Sequence, residues 1–144
     1  MRRKDWTLLV IAAARGESVS PVQLQKALFL IAENLTPGQR GTTSFYHFVA
    51  YDYGPFDQTA YADAEVLERE GLIRIYSQPY RYRVYVSTPT GSNRAEVLRQ
   101  ELAVEVVEYL DRVVDWVRSL SFNDLVRAIY RSYPQMKVNS VFAE

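Results

Sequence analysis

Arg74, Tyr76, Arg81, Arg83 and Tyr85 fall within one short stretch, and no acidic residue occurs between positions 74 and 94. Guanidinium groups pair with phosphates or carboxylates, while tyrosine rings stack on bases or anchor protein interfaces. Strand alternation predicts that these five residues share one face of a hairpin formed by residues 72–76 and 80–87. Ile73, Ile75, Tyr80, Tyr82, Val84 and Val86 then turn towards the core. The cluster is therefore a candidate binding face for a partner protein or a nucleic-acid backbone. The competing reading is an ordinary exposed sheet face with arginine packed on tyrosine. Tyr51 and Tyr53, in Tyr51-Asp52-Tyr53-Gly54-Pro55, form a second candidate, set against a plain strand end with a tight turn.

Residues suited to catalysis are sparse. His47 is the only histidine and there is no cysteine, so nucleophile–base pairs and zinc sites cannot be assembled in the usual ways. Alternation around it predicts a packed His47 on a strand, alongside Phe45 and Val49. Asp52, Asp57 and Asp63 could gather around Mg²⁺, but their spacing matches a solvated helix face better. The expectation is a protein that is not an enzyme, with no catalytic residue, cofactor or metal.

These candidates need elements to hold them. The chain has 144 residues, 48% of them hydrophobic, and a net charge of zero, which suits one domain with its own core. No apolar run approaches membrane length, so a cytoplasmic location is expected. Trp6, Leu9, Val10 and Ala13 recur at helical spacing and predict a helix over 5–14, ended at Gly16. Ser20, Pro21 and Gln23 supply an N-cap, a first-turn proline and the second half of a capping box. The helix they open, to about Asn34, is apolar nearly all round and should lie in the core, with Gln23, Gln25 and Lys26 as its wet edge.

A loop over 36–44 and a strand over 45–51 follow. Asp57 caps a helix to Glu70 whose inner face is Ala60, Tyr61, Ala64 and Leu67, and Gly71 terminates it. That helix carries Asp57, Asp63, Glu65, Glu68 and Glu70 against Arg69 alone. A duplex would repel it, so weak, salt-sensitive and sequence-indifferent DNA binding is the most to expect. Residues 93–120 read as one long helix or two nearly collinear ones, with two apolar stripes. The stripe of Val104, Val107, Leu110, Val114 and Val117 needs cover, from the last helix or from a second subunit. Ser121 and Asp124 restart the chain into that last helix.

Leu24-Gln25-Lys26 with the apolar run to Ala32, Tyr53-Gly54-Pro55-Phe56-Asp57, and Leu67 to Ile73 together resemble the motifs of Panacea-domain, or SocA-like, antitoxin proteins. The stretch Ile129-Tyr130-Arg131-Ser132-Tyr133-Pro134 with Asn139-Ser140 is similar to tails of bacterial relatives of that group. The resemblance implies a winged-helix-like module, often an antitoxin that neutralises a partner toxin.

The expected architecture is therefore α+β: a winged-helix-like core over 1–90 and a helical extension over 91–144, in a single domain. The expected function is a non-enzymatic interaction module that holds a partner protein through the wing and the acidic helix. The alternative is a transcriptional regulator that grips DNA through its basic wing as a dimer, joined by the long C-terminal helix.

Overall fold

The computed structural model describes residues 1–77 and 82–143. Among them are α1 (Arg3–Ala12), α2 (Pro21–Asn34), α3 (Pro37–Arg40), β1 (Val49–Tyr51), β2 (Gly54–Phe56) and α4 (Gln58–Arg69). β3 (Ile73–Tyr76), β4 (Val84–Ser87), α5 (Pro89–Arg99), α6 (Val104–Ser119), α7 (Phe122–Ser132) and a 3₁₀ turn at Pro134–Lys137 follow. The fold is α+β, with two small antiparallel sheets, β1–β2 and β3–β4. Among the described residues, no helix is long and apolar enough to cross a membrane.

The helix ends follow the local chemistry. Ser20 Oγ accepts the Gln23 N–H at 3.2 Å, and Gln23 returns Oε1 to the Ser20 N–H at 2.9 Å. Asp57 accepts the Thr59 N–H at 2.9 Å, Ser121 accepts that of Asp124 at 3.1 Å, and Gly71 takes the left-handed backbone expected of it. Each pairing satisfies a first-turn donor that has no partner inside its helix.

The centre of the molecule is α1. Residues 5–11 are all buried, and the helix packs against α2, α4, α5, α6 and β4. The single stripe seen in the sequence understates this burial, because Asp5, Thr7 and Leu8 on the other sides are covered as well. Asp5 accepts the Arg2 N–H at 2.8 Å, and the Trp6 indole donates to the Arg40 carbonyl at 3.0 Å.

Two expectations about chain path fail for non-local reasons. The strand expected over 45–51 exists only at Val49–Tyr51; Phe45 and Tyr46 are both buried, so no alternation holds there. His47 is exposed, and its N–H donates to Asp57 Oδ2 at 2.8 Å, so it is not a packed core side chain. The long helix over 93–120 is broken. The Arg99 guanidinium grips Asp111 bidentately, at 2.9 and 2.6 Å. Twelve residues of straight helix span about 18 Å, so α5 and α6 must fold back on each other at residues 100–103. α5 lies on α1 and β4, while α6 lies on α2 and α1. Leu110, Val114 and Val117, for which cover was open, are thereby buried within the chain.

α5 also begins earlier than expected, because Pro89 occupies its first turn and Thr88 caps it through the Gly91 N–H at 3.0 Å. Gly91 is required by close approach. A Cβ there would collide with the Leu72 carbonyl, reaching 2.7 Å from its carbon. Gly91→Ala should destabilise the fold by about 2 kcal/mol, overpacking against backbone outweighing the helix propensity gained. Chemical denaturation would check this, and a variant as stable as the parent would contradict the close approach.

Candidate interaction site

The wing comes first, because the sequence points there. The pairs Ile73↔Ser87, Arg74↔Val86, Ile75↔Tyr85 and Tyr76↔Val84 join odd residues with odd and even with even. Tyr85 therefore shares a face with Ile73 and Ile75, whereas the expected facing placed it with the arginines. A shift of one residue moves every side chain to the opposite face. Tyr85 is 1% exposed, stacks on Tyr61 at 6.4 Å, and has its hydroxyl pKa pushed up by burial. Its backbone also pairs with Val19 on the free edge of β4, in both directions at 2.9 Å. Tyr82, expected in the core, is 58% exposed.

Arg74 and Arg83 are not gathered on one face. Arg74 and Tyr76 are exposed on the face they share with Val84 and Val86. Arg83 instead reaches α4, where its Nη1 lies 2.9 Å from Glu65 Oε1. Arg81 lies outside the described residues, as does Tyr80.

The acidic helix is likewise engaged inside the molecule. Glu68 accepts the Ile75 N–H at 2.7 Å, and Glu70 pairs with Lys4 at 2.8 Å. Asp63 is buried, accepting Arg3 Nε at 2.9 Å and the Tyr46 hydroxyl at 2.6 Å. Thus α4 uses its carboxylates to tie itself to α1, to the wing and to its own first turn. It does not present a uniform acidic face.

Tyr51 and Tyr53 sit on the β1–β2 hairpin, whose two-residue turn is Asp52–Tyr53. Gly54 has φ +103, and a Cβ there would lie 3.3 Å from the Tyr130 ring and 3.6 Å from Lys26 Nζ. The C-terminal tail clamps the turn: Val141 N–H donates to the Asp52 carbonyl at 2.9 Å, and Asn139 Nδ2 to that of Ala50 at 3.1 Å. Tyr130 adds a 2.7 Å hydrogen bond to Ser140 Oγ. The resemblance motifs around Tyr53 and Tyr130 thus meet in space.

Beside this turn runs a mainly apolar groove of about 440 Å³, lined among others by Val22, Tyr53, Tyr82, Leu120, Phe122 and Leu125. Tyr53 and Phe122 meet edge-on at 5.1 Å, and with Tyr82 they remain 40%, 43% and 58% exposed. The groove brings together one of the two sequence-predicted hairpin tyrosines, a wing residue assigned to the core, and the start of α7.

A smaller pit of about 150 Å³ adjoins it, sharing Val22 and Tyr53, and is walled by the hairpin and Tyr61. Lys26 lies in it. The expected wet edge of α2 is in fact covered there by the hairpin, leaving Gln25 and Lys26 only 2% and 3% exposed. Gln25 pairs with the Asp57 backbone, donating at 2.9 Å and accepting at 3.0 Å, and its side chain also bonds that of Tyr61. Lys26 has no hydrogen-bond or ion-pair partner among the described residues. Desolvation alone pushes its pKa down to about 8. Sequence reasoning placed Lys26 on a wet edge and not in a site, although a lysine bordering an otherwise apolar helix was the available signal.

Asp57 and Asp63 are spent on a helix cap and an ion pair, and no group of three or more metal-ligating side chains occurs among the described residues. Comparison with protein-family models, curated proteins and solved structures finds no match for this chain.

Proposed function

We propose that the chain is a non-enzymatic protein-interaction module of winged-helix-like build, of antitoxin or regulatory type. Its partner would be held in the aromatic groove, with Arg74 and Tyr76 on the wing alongside. The order α1, Val19, α2, α4, β3, β4, with Val19 and β3 on opposite edges of β4, supports the winged-helix reading. So does the resemblance to Panacea-type antitoxins carried by Leu24-Gln25-Lys26 and Tyr53-Gly54-Pro55.

One observation carries the functional part: three exposed aromatic rings converge on a concave apolar surface. Aromatic anchors in such pockets are where protein interfaces concentrate their binding energy. The groove fits an apolar or aromatic side chain presented by a partner segment. Lys26, next to it, favours an acidic neighbour on that segment, since an unpaired buried ammonium is compensated best by a carboxylate. DNA is the weaker reading, because Glu65 neutralises Arg83 and α4 still carries net negative charge.

The test compares a cognate partner's affinity for wild type and for the double variant Tyr53→Ser, Tyr82→Ser. A partner would first be located by photo-crosslinking from position 82. We expect affinity to fall at least about 30-fold, equivalent to about 2 kcal/mol. The melting temperature should fall only modestly, because Tyr82 is 58% exposed and Tyr53, 40% exposed, loses a single edge contact with Phe122. Unchanged affinity would remove the groove from the account. Tight binding of one DNA sequence at physiological salt would favour the regulator instead.

A further inference from the structure

We propose that the pit at Lys26 is a carboxylate-binding site, in which the α2 ammonium receives a carboxylate beneath the 51–54 turn. The carboxylate would come from a free organic acid or from an acidic side chain of a partner segment; in the second case the inference rests on the groove reading above.

The geometry supplies three reasons. First, Lys26 is 3% exposed, yet among the described residues nothing accepts a hydrogen bond from it. Buried ammonium groups are ordinarily paired, so an unpaired one opening into a cavity is a site awaiting its counter-ion. Second, the cavity is preserved by backbone. Gly54, at φ +103, holds a backbone conformation that side chains rarely adopt, and a Cβ there would press on the Tyr130 ring at 3.3 Å. The hairpin, Tyr130 and the C-terminal tail hold that turn in place through the Val141 and Ser140 hydrogen bonds. Third, the lining selects the anion. Most of the wall is apolar or aromatic, from Val22, Tyr51, Tyr53, Pro55, Phe56 and Tyr61, with Lys26 as its one cation among the described residues.

A monoanion matches one ammonium. A phosphate dianion would leave a charge uncompensated in that wall, next to Asp52, which also lines the pit. Desolvation depresses the pKa of Lys26, and a bound carboxylate should reverse that shift.

The chain has only three lysines, Lys4, Lys26 and Lys137, so each side chain can be followed separately. In protein labelled with ¹³C-lysine, the Cε resonance of Lys26, assigned by its loss in Lys26→Met, reports protonation directly. In chloride buffer its midpoint should lie near 8. Saturating propionate at equal ionic strength should move it above about 9, at least a tenfold preference for the protonated state, leaving Lys4 and Lys137 in place. Calorimetry should detect propionate binding to wild type and none to Lys26→Met, whose cooperative melting would verify folding.

A short blocked peptide containing Phe-Glu separates the two sources. If it binds more tightly than propionate and Tyr82→Ser, which changes the groove but not the pit, reduces only the peptide's affinity, the carboxylate belongs to a partner segment. Equal affinities, both indifferent to Tyr82→Ser, would support a free acid and leave the site standing while the groove reading falls. A Lys26 midpoint unmoved by propionate, or moved equally by chloride, would overturn the proposal. A shift with inorganic phosphate and none with propionate would overturn it too, in favour of a phosphate site.

Discussion

Asp63→Ala should lower the unfolding free energy by about 3 kcal/mol, among the largest losses expected from any single polar residue of this chain. Asp63 is 7% exposed and lies where three elements meet. Its oxygens accept Arg3 Nε at 2.9 Å and Nη2 at 3.2 Å from α1, and the Tyr46 hydroxyl at 2.6 Å. Tyr46 in turn shares a 2.6 Å hydrogen bond with Thr7 and has its pKa pushed up, first by burial and then by its bond to Asp63. Removing the carboxylate leaves a buried phenol with one partner and a guanidinium with no counter-ion. Loss of one member of a buried pair typically costs about 3–5 kcal/mol. The lower end applies because the Arg3 side chain is still 36% exposed and can be rehydrated. Urea denaturation of wild type, Asp63→Ala and Tyr46→Phe would check it. Tyr46→Phe alone should cost less, about 1 kcal/mol, because Asp63 keeps Arg3. A loss below 1 kcal/mol for Asp63→Ala would mean that α1 and α4 are held by apolar contact alone.

Lys26→Met should act in the opposite direction, raising stability by about 3 kcal/mol at pH 7. The folded-state pKa of Lys26 lies at about 8, below the 10.5 of an ordinary lysine. Between those two values the unfolded chain binds more protons than the folded one, so this residue makes stability rise with pH. Below about pH 8 both states are protonated and the full penalty of the buried charge is present. Methionine matches the length of the lysine stem without its charge and removes that penalty. The stability difference between variant and wild type should thus be largest near neutrality and shrink as pH approaches 10.5. Denaturation midpoints for the two proteins across pH 7 to about 10.5 would reveal it, and parallel profiles would mean that Lys26 is hydrated after all. A stabilising substitution of a charged residue in a mainly apolar cavity fits a residue kept for binding.

The same residue marks the limit of reading function from the chain. The motif positions Lys26 and Gly54 could be named from the sequence, and the resemblance to antitoxin proteins rests on them. Their meeting could not, because 27 intervening residues had first to fold a helical turn and a hairpin across α2. The arginine cluster ran the other way. It looked like one face in sequence, and the β3–β4 register divided it, sending Arg83 to Glu65 and leaving Arg74 and Tyr76 outside.

What the sequence determined by itself was whatever closes within one helical turn. Ser20 with Gln23, Asp57 with Thr59, Ser121 with Asp124, and Gly71 after α4 all satisfy backbone groups close by, so residue type and spacing were sufficient. The α+β composition and most of the inner face of α4 followed from periodicity in the same way. The tertiary structure alone decided everything that depends on which neighbour covers a face. It broke the apparently continuous helix between Arg99 and Val104 without a glycine or proline, because α5 and α6 gain more by packing on α1 and α2 and closing the Arg99–Asp111 pair. It also turned Tyr85 inward and buried Lys26 without a partner among the described residues. Periodicity records that a face is apolar; register, close approach and the burial of a charge are fixed by contacts between segments far apart in the chain.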